Sequence, residues 1–122
     1  MPEFVLERIS QIMEENGIAE VSRVGLYGLT YKENVDDVRE SPTLQLLECM
    51  KRHLAGGIKV YDPFIYKDIV KNQYDYKEFL DNIDMIVVMV GHEHLCRNEG
   101  LLRNKVILDT KNICKDVNKY KL

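Results

Sequence analysis

The 122 residues predict a three-layer α/β/α domain on a mostly parallel sheet, preceded by a leading helix. Short apolar runs recur at Val21–Tyr27, Ile58–Tyr61, Ile83–Val90 and Val106–Leu108, with helical periodicity or helix caps between them. The longest of these runs, Ile83–Val90, is apolar at every position after Asp84 rather than alternating, as a strand covered on both faces is. Strands interspersed with helices pair in parallel through crossover connections, which fixes the layer order.

Phe4, Val5, Leu6, Ile9, Ile12 and Met13 form an uneven apolar helical face that ends near Gly17. Val21–Tyr27 follows as a buried strand and turns at Gly28. After a charged loop through Glu40, Ser41 supplies an N-cap and Pro42 occupies the first helical position, where its missing amide donor costs nothing. Leu44, Leu47, Met50 and Leu54 continue that helix as an apolar stripe until Gly56 and Gly57 stop it. The second strand, Ile58–Tyr61, is terminated by Asp62-Pro63, because proline cannot donate to a ladder. Asp75 and Glu78 match a capping box ahead of a short helix that packs through Tyr76, Phe79 and Leu80. Ile83–Val90 reads as a central strand, 91–97 as a loop, 98–102 as a short segment of unassigned type, and Val106–Leu108 as the last strand. The expected division is a connector helix over residues 1–20 and the domain proper over 21–122.

The composition, 45% hydrophobic and 30% charged, is that of a globular chain. A net charge of −3 offers no electrostatic attraction for nucleic acid or an anionic membrane, so an anionic ligand needs a local cluster of donors. The longest apolar run, Met85–Val90, is far below a membrane span, and the opening residues lack a basic segment followed by an apolar leader. The expected location is cytoplasmic. Cys49, Cys96 and Cys114 are an odd, widely spaced set without CxxC spacing, which favours reduced thiols and assigns no nucleophile.

In an open parallel sheet, ligands bind beyond the C-terminal strand ends, which nominates Gly28–Asp37, Asp62-Pro63, Gly91–His94 and Asp109–Lys111. Gly25-x-x-Gly28 is not the G-x-G-x-x-G dinucleotide fingerprint. Asp62 either serves a turn or solvent, or imitates the acidic residue that binds a ribose. Lys32 is either a phosphate or carboxylate contact or a solvated lysine. Arg39 either partners Asp36, Asp37 or Glu40, or presents a planar donor fork. Tyr31 borders a pocket or packs in the core, and Lys111 joins Lys32 at an anion or stays in water. His92-Glu93-His94 has neither H-E-x-x-H spacing nor a third ligand, so no metal is expected and a loop role beside a ligand is preferred. The seven tyrosines are dispersed along the chain and suggest no stacking platform.

Gly28-Leu29-Thr30-Tyr31-Lys32 and Asp37-Val38-Arg39-Glu40-Ser41-Pro42 resemble the motifs that open the C-terminal domain of the UDP-glucose/GDP-mannose dehydrogenase family. The resemblance continues through Val60–Pro63, the Asp84-led strand, Gly91–His94 and Asp109–Asn112, and covers about Val21 to Lys115. It implies a Rossmann-like fold and a role in binding a UDP-sugar. It also implies a parent enzyme that oxidises a nucleotide-sugar alcohol twice with NAD, through a cysteine-linked intermediate. The NAD-binding N-terminal domain and the central domain bearing the catalytic cysteine and lysine are expected outside these residues, with residues 1–20 as the end of the central domain. The 122 residues are therefore expected to be catalytically incomplete, with no catalytic residue and no NAD of their own.

By the same resemblance, Tyr31, Lys32 and Lys111 fall at substrate-binding positions, Lys111 where some members carry an arginine. Gly28, Asp37, Arg39 and Ser41 fall at positions that organise the loop. Met1-Pro2 and the tyrosine before Lys32 lean towards the UDP-N-acetylmannosamine dehydrogenase branch. A homodimeric parent is expected, and the alternative role is a dimerisation module with little ligand affinity of its own.

Overall fold

Five parallel strands form one sheet: β1 (Val24–Tyr27), β2 (Lys59–Tyr61), β3 (Met85–Val88), β4 (Val106–Asp109) and β5 (Tyr120–Lys121), in the order β2-β1-β3-β4-β5. The computed structural model describes residues 2–29, 43, 45–48, 58–63, 75–97, 99–102, 104–111 and 120–121. Four strands stand where the apolar runs placed them. The fifth, two residues long, was not expected.

Alternation along the strands divides the interior into two cores. Val24, Leu26, Met85, Val87 and Leu108 face one core, and Tyr27, Ile86, Val88 and Ile107 face the other. Both faces are covered, which is why β1 and β3 are buried at every position.

Helix α1 (Pro2–Glu15) covers the first face with Val5, Leu6, Ile9, Ile12 and Met13, spaced as a single helical stripe. Ile9 and Ile12 have no exposure, and burying each contributes on the order of 1.5–3 kcal/mol. The helix ends in a Schellman motif. The Ile18 amide donates to the Met13 carbonyl at 2.9 Å and the Gly17 amide to that of Glu14 at 3.3 Å, with Gly17 at φ +69°. Residues 43 and 45–48 are helical, and Leu46 joins this core.

The second face is covered by α2 (Tyr76–Asp81), α3 (Glu93–Arg97) and a 3-10 turn at Glu99–Leu102, through Phe79, Leu80, Leu95 and Leu102. Asp75 caps α2 as expected, its Oδ1 accepting from the Glu78 amide at 2.9 Å. Helix α3 lies within the stretch expected to be loop. It has five residues, too few to show a 3.6-residue period in the sequence.

At the opposite end of the sheet from the candidate loops, Arg23 donates to both carboxylate oxygens of Asp84 at 3.0 and 2.9 Å. The hydrogen bond from Arg23 holds the Asp84 carboxyl below its ordinary range. Both side chains are exposed, so the pair orders a loop more than it stabilises the fold. Among the described residues no helix is long and apolar enough to cross a membrane.

Candidate functional site

β1 lies between β2 and β3, so the chain leaves it to one side and later crosses to the other. This reversal is the topological switch point, and the crevice beyond the C-terminal ends of these strands is where open α/β sheets bind ligands.

The turn out of β1 requires glycine. Gly28 has φ +104°, and a Cβ there would sit 2.7 Å from Val90 Cβ and 2.8 Å from the Val90 amide nitrogen. Its amide donates to the Tyr61 carbonyl at 2.8 Å, and its carbonyl accepts from Thr43 Oγ1 at 2.6 Å. The next amide, Leu29, donates to Asp62 Oδ2 at 2.7 Å, and His92 Nε2 lies 2.9 Å from the same oxygen. The Asp62 and His92 side chains are fully enclosed. A buried carboxyl group is tolerated where donors replace its water, and a backbone amide and an imidazole do so here. Asp62 is therefore neither a solvated nor a simple turn residue: it ties together the ends of β1, β2 and β3.

The fourth loop joins through Thr110, whose amide and hydroxyl both donate to the Val88 carbonyl. Buried Asp109 accepts the Lys111 amide at 3.0 Å, while the Lys111 side chain is exposed. The described residues of the four nominated loops thus gather at one end of the sheet, Gly28 and Lys111 among them. Tyr31, Lys32, Asp37, Arg39 and Ser41 lie outside the described residues.

Beside this junction stands an aromatic cluster absent from the sequence-based expectation. Tyr27 and Tyr61 end adjacent strands in register, with ring centroids 5.9 Å apart. Tyr76 lies 4.8 Å from Tyr61 and 4.7 Å from His94, which it meets edge-on. His94 stacks on Tyr27, its Nδ1 2.9 Å from the Tyr27 hydroxyl. Burial lowers the His94 pKa, reinforced by His92 and Arg97 and opposed by Asp62. The rings come from positions 27, 61, 76 and 94. The one sequence signal was that two tyrosines occupy the last positions of adjacent strands. His92 and Asp62 carried a comparable signal, each standing just past a strand end beside the switch point.

The described residues at this end of the sheet do not reproduce a dinucleotide site. Gly25 is the residue that would open the fingerprint, but a Cβ there would lie 2.5 Å from the Phe79 ring, so its missing side chain makes room for packing. Asp62, at the ribose-binding position after β2, is enclosed and bonded to Leu29 and His92. Among the described residues no group of three or more His, Cys, Asp or Glu side chains is arranged to hold a metal ion.

Residues 25–116 match the UDP-glucose/GDP-mannose dehydrogenase family, UDP binding domain. The chain is 32% identical over 121 residues to the UDP-N-acetyl-D-mannosamine dehydrogenase of Methanocaldococcus jannaschii, covering 93% of this chain and 27% of that protein. It thus spans about a quarter of that relative's length. It superposes on the UDP-N-acetyl-mannosamine dehydrogenase of Staphylococcus aureus with a TM-score of 0.75 at 27% identity, covering 98% of this chain and 30% of that one. For the corresponding Pyrococcus horikoshii enzyme the TM-score is 0.76 at 22% identity, with 98% and 30% covered, a likeness of fold. The sheet order, the switch-point loops and the match over 25–116 agree, and the chain belongs to the UDP-glucose/GDP-mannose dehydrogenase family, in the region of its UDP binding domain.

Proposed function

We infer that this chain is the sugar-nucleotide half-site of an NAD-dependent UDP-sugar 6-dehydrogenase, with UDP-N-acetyl-D-mannosamine as the substrate to be oxidised to its uronic acid. The observation that carries this reading is the tied junction at the strand C-termini, which falls inside the stretch matching the family's UDP binding domain. Lys32 supplies a cation for the pyrophosphate, Tyr31 borders the ligand, and Lys111 brings a second ammonium from the β4 end. Gly28, Asp37, Arg39 and Ser41 shape the loop and the start of the following helix.

The missing fingerprint and the enclosed Asp62 support assigning NAD to another domain of the parent enzyme, and the family resemblance puts the catalytic cysteine and lysine in its central domain. In this reading residues 1–20 are the connector from the central domain, the 122 residues alone do not turn over substrate, and the parent is a cytoplasmic homodimer. The alternative, an assembly module, would be favoured by an apolar face of α1 left without a partner; that face is buried against the sheet, which favours the ligand-binding reading.

Titration of the isotope-labelled chain with UDP and UDP-sugars, followed by NMR, tests the reading. The amides of Leu29, Tyr31, Lys32 and Lys111 are expected to shift in a saturable way. Unmoved resonances at millimolar ligand would remove independent binding by this chain.

A further inference from the structure

We propose that His92 is a positioning residue for the ligand loop, acting through Asp62 on the amide of Leu29; the ligand side of this role rests on the UDP-binding reading above. The ladder that aligns β1 with its neighbours ends at its last residue, with Tyr27 opposite Tyr61 and Val88. One further backbone bond, from the Gly28 amide to the Tyr61 carbonyl, extends the alignment by a residue. The next peptide leads into Thr30, Tyr31 and Lys32, and here a side chain from β2's end takes over: Asp62 Oδ2 receives the Leu29 amide.

A carboxyl group holds an amide in one direction only when its own rotation is stopped. His92 stops it from the β3 side, with Nε2 2.9 Å from the same oxygen. The imidazole is itself enclosed and meets Tyr27 edge-on, at 6.1 Å between ring centroids and 66° between planes. The position of β3's end is thus passed to the β1 loop through two side chains with no exposed surface. Nothing in this relay requires His92 to touch a ligand. Loosening it would let the Leu29 peptide turn, and a lysine a few residues on would sample positions away from the phosphates. This gives the first histidine of His92-Glu93-His94 a function other than metal binding.

The test compares His92→Ala, His92→Phe and His92→Gln with the unaltered chain by amide hydrogen exchange at Leu29 and by UDP affinity. His92→Phe keeps the ring volume without a donor and serves if His92→Ala does not fold; His92→Gln retains an N–H able to reach Asp62. The expected result is faster exchange at Leu29 and UDP binding weaker by about tenfold in the donor-less variants. His92→Gln should recover most of both effects, while amides in the centre of β3 stay protected in every variant. Unchanged Leu29 exchange without the donor would overturn the relay. Faster exchange with unchanged UDP affinity would overturn the positioning role. If the unaltered chain takes up no UDP, independent binding by this chain fails and the ligand side of the role in this chain fails with it. The relay is then judged by exchange: a faster Leu29 amide in the donor-less variants with recovery in His92→Gln upholds it, and indifference to His92 refutes it.

Discussion

The Tyr27 and His94 rings lie nearly parallel, with 17° between their planes and 6.1 Å between centroids, and the phenol hydroxyl is 2.9 Å from His94 Nδ1. A neutral imidazole can accept that hydroxyl proton, and an imidazolium can keep the contact by donating Nδ1–H to the phenol oxygen, so the hydrogen bond alone does not set the charge. Partial burial among Tyr27, Tyr61 and Tyr76 disfavours the charge, reinforced by His92, so the folded chain binds the His94 proton more weakly than the unfolded chain. Stability contributed by neutral His94 is therefore complete above the unfolded imidazole pKa, about 6.5, and is lost as pH falls towards the lower folded value. Urea unfolding from about pH 7.5 down to about pH 5 should show this decline, and His94→Gln should flatten it. An equal slope in that variant would assign the pH dependence to other groups.

Gly17 and Gly28 both have positive φ but differ in their surroundings. A Cβ on Gly17 meets nothing within 4 Å, whereas one on Gly28 runs into the Val90 side chain and backbone. Gly17→Ala should cost about 1–2 kcal/mol from backbone strain alone. Gly28→Ala should cost about 2–4 kcal/mol because a steric term is added. Chemical denaturation of the two variants under one condition measures the difference. Equal losses would show that the turn can move away from Val90.

Gly25 and Phe79 should be coupled. The Phe79 ring occupies the space a Gly25 side chain would need, with contacts at 2.5 and 2.6 Å. Gly25→Ala is expected to destabilise the chain by about 1–3 kcal/mol, and much less in a Phe79→Leu background. A double-mutant cycle with coupling below about 0.5 kcal/mol would mean that the ring has another place to go.

Lys32→Ala should weaken UDP binding by about 1.5–3 kcal/mol, roughly one to two decades, and reduce its salt dependence. Calorimetry in the parent enzyme, with circular dichroism as the control for folding, reads both quantities. An unchanged affinity with an unchanged salt slope would take Lys32 out of the phosphate subsite. Lys111→Ala should show a small effect, because the exposed ammonium is screened by water and salt.

The sheet was legible in the sequence because strands buried on both faces write themselves as apolar runs, and the Asp75 cap because its geometry depends on residues three apart. The two-residue β5 was not, since Tyr120 and Lys121 are too few to carry a pattern. Site residues divided in the same way. Gly28 was identifiable from its local setting, a glycine at a strand end ahead of a charged loop. Asp62 and His92 are thirty residues apart, and a carboxyl group looks solvated until the fold brings a donor to it. Tyr27, Tyr61, Tyr76 and His94 likewise become a cluster only once β1 and β2 are paired.

Helix α1 and strand β5 both fall outside residues 25–116, the stretch that matches the family. They are nevertheless fastened to each other: Asn16 Nδ2 donates to the Tyr120 hydroxyl at 3.3 Å, and the Arg8 guanidinium lies 5.5 Å from the centre of the Tyr120 ring. Ile9 and Ile12 share their core with Leu26 and Val87. The unit of cooperative unfolding is therefore expected to be wider than residues 25–116. Amides in the middle of α1 should exchange through the same global opening as those of β3, instead of fraying early as a tethered tail does. A fragment trimmed to the matched bounds would bare the greasy side of its sheet and self-associate.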